Sequence, residues 1–235
     1  MFAGFLFFRP MHFFLDPHFN PNVGELNPEE SRHATKVLRM KIGDQIEIGD
    51  GKGHLFDATI ASLGKQITVS INEIKSFSRG ENSIAIAIAP PKNSSRFEWF
   101  LEKATELGID SFYPIITRRS ERKQVKTERA EKIVLTAAKQ SKRVFLPFIH
   151  PIQNFSEALN IDSDHKMIAH CIESMERKKV TPAPGHSIIF IGPEGDFNEE
   201  EILEAEKQGY QSIILSQNRL RTETAAILAV AMHQF

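Results

Sequence analysis

The sequence is poor in the residues that most often announce a chemistry. It holds one cysteine, Cys171, among 235 residues. No disulfide can close within such a chain, which agrees with a reducing, cytoplasmic setting. No Cys/His cluster has the spacing of a zinc site, so no metal centre is expected. Net charge is nearly absent as well: 29 Lys and Arg stand against 30 Asp and Glu, leaving −1. Whole-chain charge therefore says nothing about partners. No apolar run is long enough to cross a bilayer, so no membrane is expected among the partners. Met1 to Phe8 is apolar but short, with no basic leader and no small-residue cleavage site. Met11 reads as the natural start, with residues 1–10 as an N-terminal extension. There is no internal repeat and no low-complexity tract. No Ser/His/Asp or Cys/His arrangement marks a nucleophile. Lone histidines such as His33 and His170 read as structural.

What is present is unevenly spread. Between Arg118 and Arg143 there are ten Lys/Arg and three Asp/Glu, a local +7, and the remaining residues sum to −8. That asymmetry fits a nucleic-acid footprint on an acidic body, or a solvated helix face. The length accommodates one large domain or two ordinary ones, and the residue pattern favours two. From Phe13 to about Ile74 it is mostly β. Phe13 to Leu15 form a short strand, and Asn27-Pro28-Glu29-Glu30 carries the start signals of a helix reaching about Met40. Such a helix sets Arg32, Lys36 and Arg39 on one face. Runs at Gln45–Ile48, Leu55–Ala61 and Gln66–Ile74 read as strands, with turns at Asp50-Gly51 and Leu63-Gly64. These elements define a small barrel-like domain over residues 11–75, followed by a polar linker, Ser76 to Asn82.

From residue 82 to 235 the pattern is α/β. Strands are expected at Ile84–Ala89, Phe112–Ile116, Met167–Cys171, Ser187–Ile191 and Ser212–Leu215. Helices are expected at Ser94–Leu107, Thr127–Ser141, Glu199–Gln208 and from about Thr222. Trp99 and Phe97, at the start of one helix, read as core. Strand–helix alternation with unbroken apolar strands gives a mainly parallel sheet with helices on both faces.

Two strand-to-helix loops near the C-terminus carry the chemistry. In open α/β sheets, ligands bind beyond the carboxyl ends of strands. The first loop is Ile191-Gly192-Pro193-Glu194-Gly195-Asp196-Phe197. It matches neither a dinucleotide fingerprint nor a P-loop, and Pro193 removes an amide that a phosphate cradle would use. It is either a tight turn or a main-chain cradle for a ligand without phosphates. The second loop runs from Leu215-Ser216 to Arg219-Leu220-Arg221-Thr222-Glu223. A helix apolar on every side follows, to be buried against its own domain or a partner. Arg221 and Glu223 then form either a structural ion pair or a cleft wall that stabilises developing negative charge.

The chain resembles the RsmE family, the 16S rRNA uridine-N3 methyltransferases of the SPOUT superfamily. The matching segments are Arg32-His33-Ala34 with Val37-Leu38-Arg39-Met40, Glu102-Lys103-Ala104-Thr105-Glu106-Leu107-Gly108, Gln140-Ser141, Ile191-Gly192-Pro193-Glu194-Gly195, and Leu220-Arg221-Thr222-Glu223-Thr224-Ala225. The resemblance implies a PUA-like β-barrel that helps bind RNA and a C-terminal SPOUT domain with a trefoil knot. It implies S-adenosylmethionine held by Ile191, Gly192, Pro193, Glu194 and Gly195, by Leu215, Ser216, Leu220 and Arg221, and by a third wall near Cys171. It also implies a homodimer through the knotted domain, acting on small-subunit rRNA. Arg221 is then the group that meets charge on the uridine, with Glu223 orienting it or serving as base. Arg32, Lys36 and Arg39, with Arg118, Arg119, Arg122, Lys123 and Arg143, would hold RNA phosphates. Asp196 stands where the family usually has another glycine, either as a carboxylate at the cofactor rim or as a helix cap. The alternatives are a non-catalytic RNA-binding or assembly factor on the same fold, and a methyltransferase for a different RNA.

Overall fold

The structure is a computed structural model and describes residues 11–180 and 183–234. The extension expected at residues 1–10 lies outside the described residues. The chain divides into two compact units. The first takes in the chain to Arg79 together with Ser141–Phe145. The second comprises Gly80–Gln140 and the chain from Leu146 onward.

In the first unit, β1 (His12–Leu15), β2 (Gln45–Gly49), β3 (His54–Leu63) and β4 (Ile67–Ser76) form one sheet in that order. β1 runs parallel to β2, and the other pairs are antiparallel. Alternation along the strands turns Ile46, Ile48, Phe56, Ala58, Ile60 and Ile67 into one buried cluster with Phe14. The outer edge of β4 is covered by residues 24–26, not by β1. Leu26 donates its amide to the Ile67 carbonyl at 3.0 Å, and Val69 donates to that of Gly24 at 2.7 Å. Gly24 has φ +67°, and a Cβ there would lie 2.7 Å from the Val69 carbonyl oxygen, so the position accepts only glycine.

Asn27 caps α1 (Pro28–Arg32) as its sequence signals require, accepting the amides of Glu29 and Glu30 at 3.0 and 2.9 Å. The helix does not continue regularly to Met40. It widens into a π turn over His33–Val37, and Arg39 has φ +54°. The Thr35 hydroxyl donates back to the Ser31 carbonyl at 2.8 Å, a bond that Thr105 and Thr136 also make in regular helix, so it accompanies the wider turn without explaining it. The wider turn shifts the phase of Lys36, and Arg39 lies beyond the helix. Arg32, Lys36 and Arg39 therefore do not form the expected i, i+4, i+7 stripe, although all three are exposed. The stretch Ser141–Phe145 adds to this unit. Val144 accepts the Gly53 amide at 2.9 Å, Phe145 bridges Lys52, and Lys142 Nζ lies 3.1 Å from Glu47 Oε2.

The second unit holds β5 (Ser83–Ile88), β6 (Ser111–Ile116), β7 (Phe148–Ile149), β8 (Gln153–Asn154), β9 (His165–Ala169), β10 (Lys178–Lys179), β11 (His186–Ile191) and β12 (Gln211–Ile214). Its helices are α2 (Ser94–Glu106), α3 (Thr127–Gln140), α4 (Phe155–Ala158), α5 (Glu199–Lys207) and α6 (Thr222–Gln234). The sheet order is β10-β12-β9-β11-β5-β6-β7, with β8 beside β6, and every pairing is parallel. Successive residues of β11 point to opposite faces. Ile189 and Ile191 join one buried cluster with residues of α2, α3 and α6, while Ile188 and Phe190 join another with residues of α4 and α5. That two-sided burial explains the unbroken apolar strands. The strand expected to reach Cys171 stops at Ala169, which leaves His170 and Cys171 in a loop. Phe97 is buried, but Trp99 is 44% exposed and not core. Two helical steps rotate a side chain by about 200°, so both cannot face the sheet.

Candidate active site at the carboxyl edge of the sheet

β12, β9 and β11 are neighbours, and their carboxyl ends release three loops side by side. After β11 the chain turns sharply: Asp196 donates its amide to the Pro193 carbonyl at 2.9 Å, with its own φ at +62°. A Cβ on Gly192 would come 3.1 Å from both the ring and the amide nitrogen of Phe197, so the turn is packed to its glycine. The buried Thr222 hydroxyl, at the start of α6, donates to the Gly192 carbonyl at 3.0 Å. That bond fastens the second C-terminal loop to the first.

The loops enclose a cavity of about 310 Å³. Cys171, Ile191, Gly192, Pro193, Glu194, Leu215, Ser216, Leu220 and Arg221 all line it. Gly195 does not line it. Its carbonyl instead accepts Arg119 Nη1 at 2.8 Å. His170, Arg177, Asn218, Arg219 and Thr222 also line the cavity. Arg177 donates to the His170 carbonyl at 3.1 Å, a partnership that no local spacing announces.

Asp196 has a definite task. Its Oδ2 accepts the Cys171 amide at 2.7 Å, and its Oδ1 accepts the Phe197 amide at 2.8 Å. It thereby ties the loop after β11 to the loop after β9. It does not cap α5, because Asn198 and Glu201 form the reciprocal capping box there, at 2.8 and 3.0 Å.

The charges around the cavity are mixed: Arg177, Arg219 and Arg221 stand with Glu194 and Asp196. Cys171 is exposed at the cavity, yet desolvation there, with Asp196 adding to it, pushes its thiol above its ordinary pKa. Burial holds His170 below the usual histidine range, so its ring is neutral at pH 7. The Arg221 guanidinium is exposed, with no ion pair among the described residues. Glu223 does not orient it. Glu223 is 5% exposed and lies outside the cavity lining, with Oε1 3.6 Å from Arg96 Nε. Its Oε2 is buried without a hydrogen-bond partner among the described residues. The i, i+2 spacing of Arg221 and Glu223 explains the failed pairing, because Glu223 lies inside the first turn of α6 and Arg221 precedes it.

The expected basic residues are dispersed. Arg118 is engaged by Glu200, and Arg119 by the carbonyls of Gly195 and Phe197. Arg143 belongs to the segment that joins the first unit. Arg122 and Lys123 lie in the loop before α3, at the carboxyl edge. Among the described residues no helix is long and apolar enough to cross a membrane.

An all-parallel sheet with a cavity at its carboxyl edge, preceded by a small β unit, is the class of an α/β ligand-binding domain with an N-terminal β domain, and comparison with known proteins narrows it. The RNA methyltransferase domain family matches residues 79–234, and the RNA methyltransferase PUA domain matches residues 26–71. Ribosomal RNA small subunit methyltransferase E of Rickettsia conorii is 32% identical over 88% of this chain and 87% of its own. The protein of the same name from Mesomycoplasma hyopneumoniae is 36% identical over 67% of this chain and 71% of its own. The crystal structure of the Neisseria gonorrhoeae protein of that name, bound to S-adenosyl methionine, superposes with a TM-score of 0.83. It is 29% identical, with coverage of 95% of this chain and 97% of that one. The chain belongs to the ribosomal RNA small subunit methyltransferase E family.

Proposed function

We propose that this protein transfers a methyl group from S-adenosylmethionine to small-subunit rRNA, at N3 of a uridine in the 3′ region of 16S rRNA. The cavity carries this reading. Its volume is that of a small-molecule site. Its walls combine apolar side chains (Ile191, Leu215, Leu220) with main-chain groups, two carboxylates and three arginines. That donor set suits a ligand with an adenosine, an ammonium, a carboxylate and a sulfonium but no phosphate.

When bound, the cofactor supplies an electrophilic methyl group. The chain's own residues do the rest. The loop after β11 and the loop after β12, joined by the Thr222–Gly192 bond, fix the walls of the cavity. The uridine must be unpaired or flipped out, because N3 lies on its Watson–Crick edge. Loss of the N3 proton leaves negative charge on N3, O2 and O4. Arg221 lines the cavity, is exposed and has no ion pair among the described residues, which supports it as the side chain that meets that charge. Two further features belong to the reading. The trefoil knot implied by the resemblance belongs to this reading, and the packing of α6 on α2, β5 and β11 is compatible with it. Ala225 and Ile227 of α6 are only partly buried, and a second copy of the chain would cover them.

Two measurements follow. Mass mapping of small-subunit rRNA from cells with and without the protein should show one methylated uridine disappear. An unchanged map would reject the reading. Asp196→Ala removes the tie to the Cys171 loop and the bond to the Phe197 amide, and leaves an alanine at positive φ without a compensating side chain. S-adenosylmethionine affinity should fall about 10-fold or more, since two charge-assisted hydrogen bonds are lost. Asp196→Asn keeps an acceptor and tolerates the backbone, so isothermal titration should find it intermediate.

A further inference from the structure

The carboxyl ends of β5 and β6 release loops 89–93 and 117–126, which lead into α2 and α3. A second groove, of about 290 Å³, lies between the starts of those two helices. Along it Arg122, Lys126 and Arg129 face one carboxylate, Glu98. Arg129 grips that carboxylate in a bidentate pair, with Nη2 2.6 Å from Oε2. The pair holds the Glu98 acid below its usual range, and the nearby charges of Arg122 and Lys126 act in the same direction. Arg129 is thus satisfied. Arg122 gives one N–H to the Gln124 carbonyl at 3.0 Å, and neither Arg122 nor Lys126 has a carboxylate partner among the described residues. This contrasts with neighbouring cations: Lys92 pairs with Glu121 at 2.6 Å, and Arg118 pairs with Glu200. The hydroxyl-bearing Ser94 and Ser95 complete the groove.

No residue lines both the groove and the cavity, but the loops that flank the groove reach the loop after β11. Lys92 donates its amide to Glu194 at 3.1 Å, and Arg119 donates to the Gly195 carbonyl. Both loops beside the groove are therefore braced against the loop that forms a cavity wall. Two surplus cations with hydroxyl donors are the chemistry of a phosphate seat.

We infer that Arg122 and Lys126 seat a backbone phosphate of the RNA strand whose base enters the cavity, with the exposed Ser94 and Ser95 lining the same groove. The inference rests on the reading as an rRNA methyltransferase. It narrows the long basic stretch to two side chains and adds Lys126, which charge counting alone did not single out. Arg129 is a positioning residue here: it occupies Glu98 and so leaves the other two cations free for RNA.

The test uses the full chain and small-subunit rRNA, with binding measured across a salt series. In Arg122→Ala/Lys126→Ala, affinity at low salt should fall about tenfold or more, and the slope of log affinity against log salt should become shallower by about one. A control with the same change in charge, Lys132→Ala/Lys207→Ala, removes exposed cations on α3 and α5 outside the groove. It should keep the slope and lose less than about threefold. S-adenosylmethionine titration should be unchanged in both variants. Equal losses in both pairs, or no loss in the groove pair, overturn the seat while the methyltransferase reading stands. Saturable binding of inorganic phosphate by the wild-type chain, with RNA affinity untouched in the groove pair, also overturns it and marks a free-anion site. A wild-type chain that neither binds nor methylates rRNA overturns the underlying reading, and the seat with it.

Discussion

Arg221→Ala should lower single-turnover methyl transfer to rRNA by about 10²- to 10³-fold, the loss seen when one preorganised donor to developing negative charge is removed. Arg221 lines the cavity without an ion pair among the described residues, so its removal orphans no buried partner and leaves no void in a packed core. The cost should therefore fall on the reaction, not on folding. Cofactor affinity, measured separately by titration, should change much less than turnover, because the cavity keeps its other walls. Arg221→Lys should recover part of the rate, since it restores charge but not the planar fork. Turnover equal to wild type in Arg221→Ala would remove the residue from the chemistry.

Phe190→Ala should be the most damaging core substitution. Phe190 is fully buried in β11, between β9 and β5. Its ring lies 4.7 Å from Tyr210 and 5.8 Å from Phe155, each near edge-to-face. Truncation removes those contacts and leaves a void, at a cost of about 3–5 kcal/mol. Domains of this kind are stable by only about 5–15 kcal/mol. The expected result is a large fall in the urea midpoint with an unchanged slope. Trp99, the sole tryptophan, sits in α2 of the same unit and reports its unfolding by fluorescence. A midpoint within the error of wild type would show that the cluster of Phe155, Phe190 and Tyr210 does not anchor this face of the sheet.

Much of the second unit was legible because its strands are long, apolar and separated by well-capped helices. Asn198 with Glu201, and Gly209 after α5, mark their boundaries within a residue or two. β7, β8 and β10 are two residues each, too short for any periodicity to register. The π turn after Arg32 was invisible for a different reason. Nothing in the side-chain pattern from Asn27 to Met40 marks a change to the wider turn, and a helical stripe drawn from spacing assumes the regular repeat. In the site, loop residues on either side of a strand end could be named, since the ends of buried strands converge. The partner of Glu223 could not, because Arg96 is over a hundred residues distant and no local rule joins them. The same holds for Asp196 and Cys171, whose bond exists only once β9 and β11 are adjacent.

The five residues Ser141–Phe145 make the N-terminal unit non-contiguous in the gene. A fragment ending near residue 80 would lose the carbonyl that receives Gly53, the strand bridge to Lys52 and the ring beneath Arg79. A cut at the polar linker would therefore leave this strap behind in the other half, and an excised N-terminal unit would need residues 141–145 supplied back to close its edge.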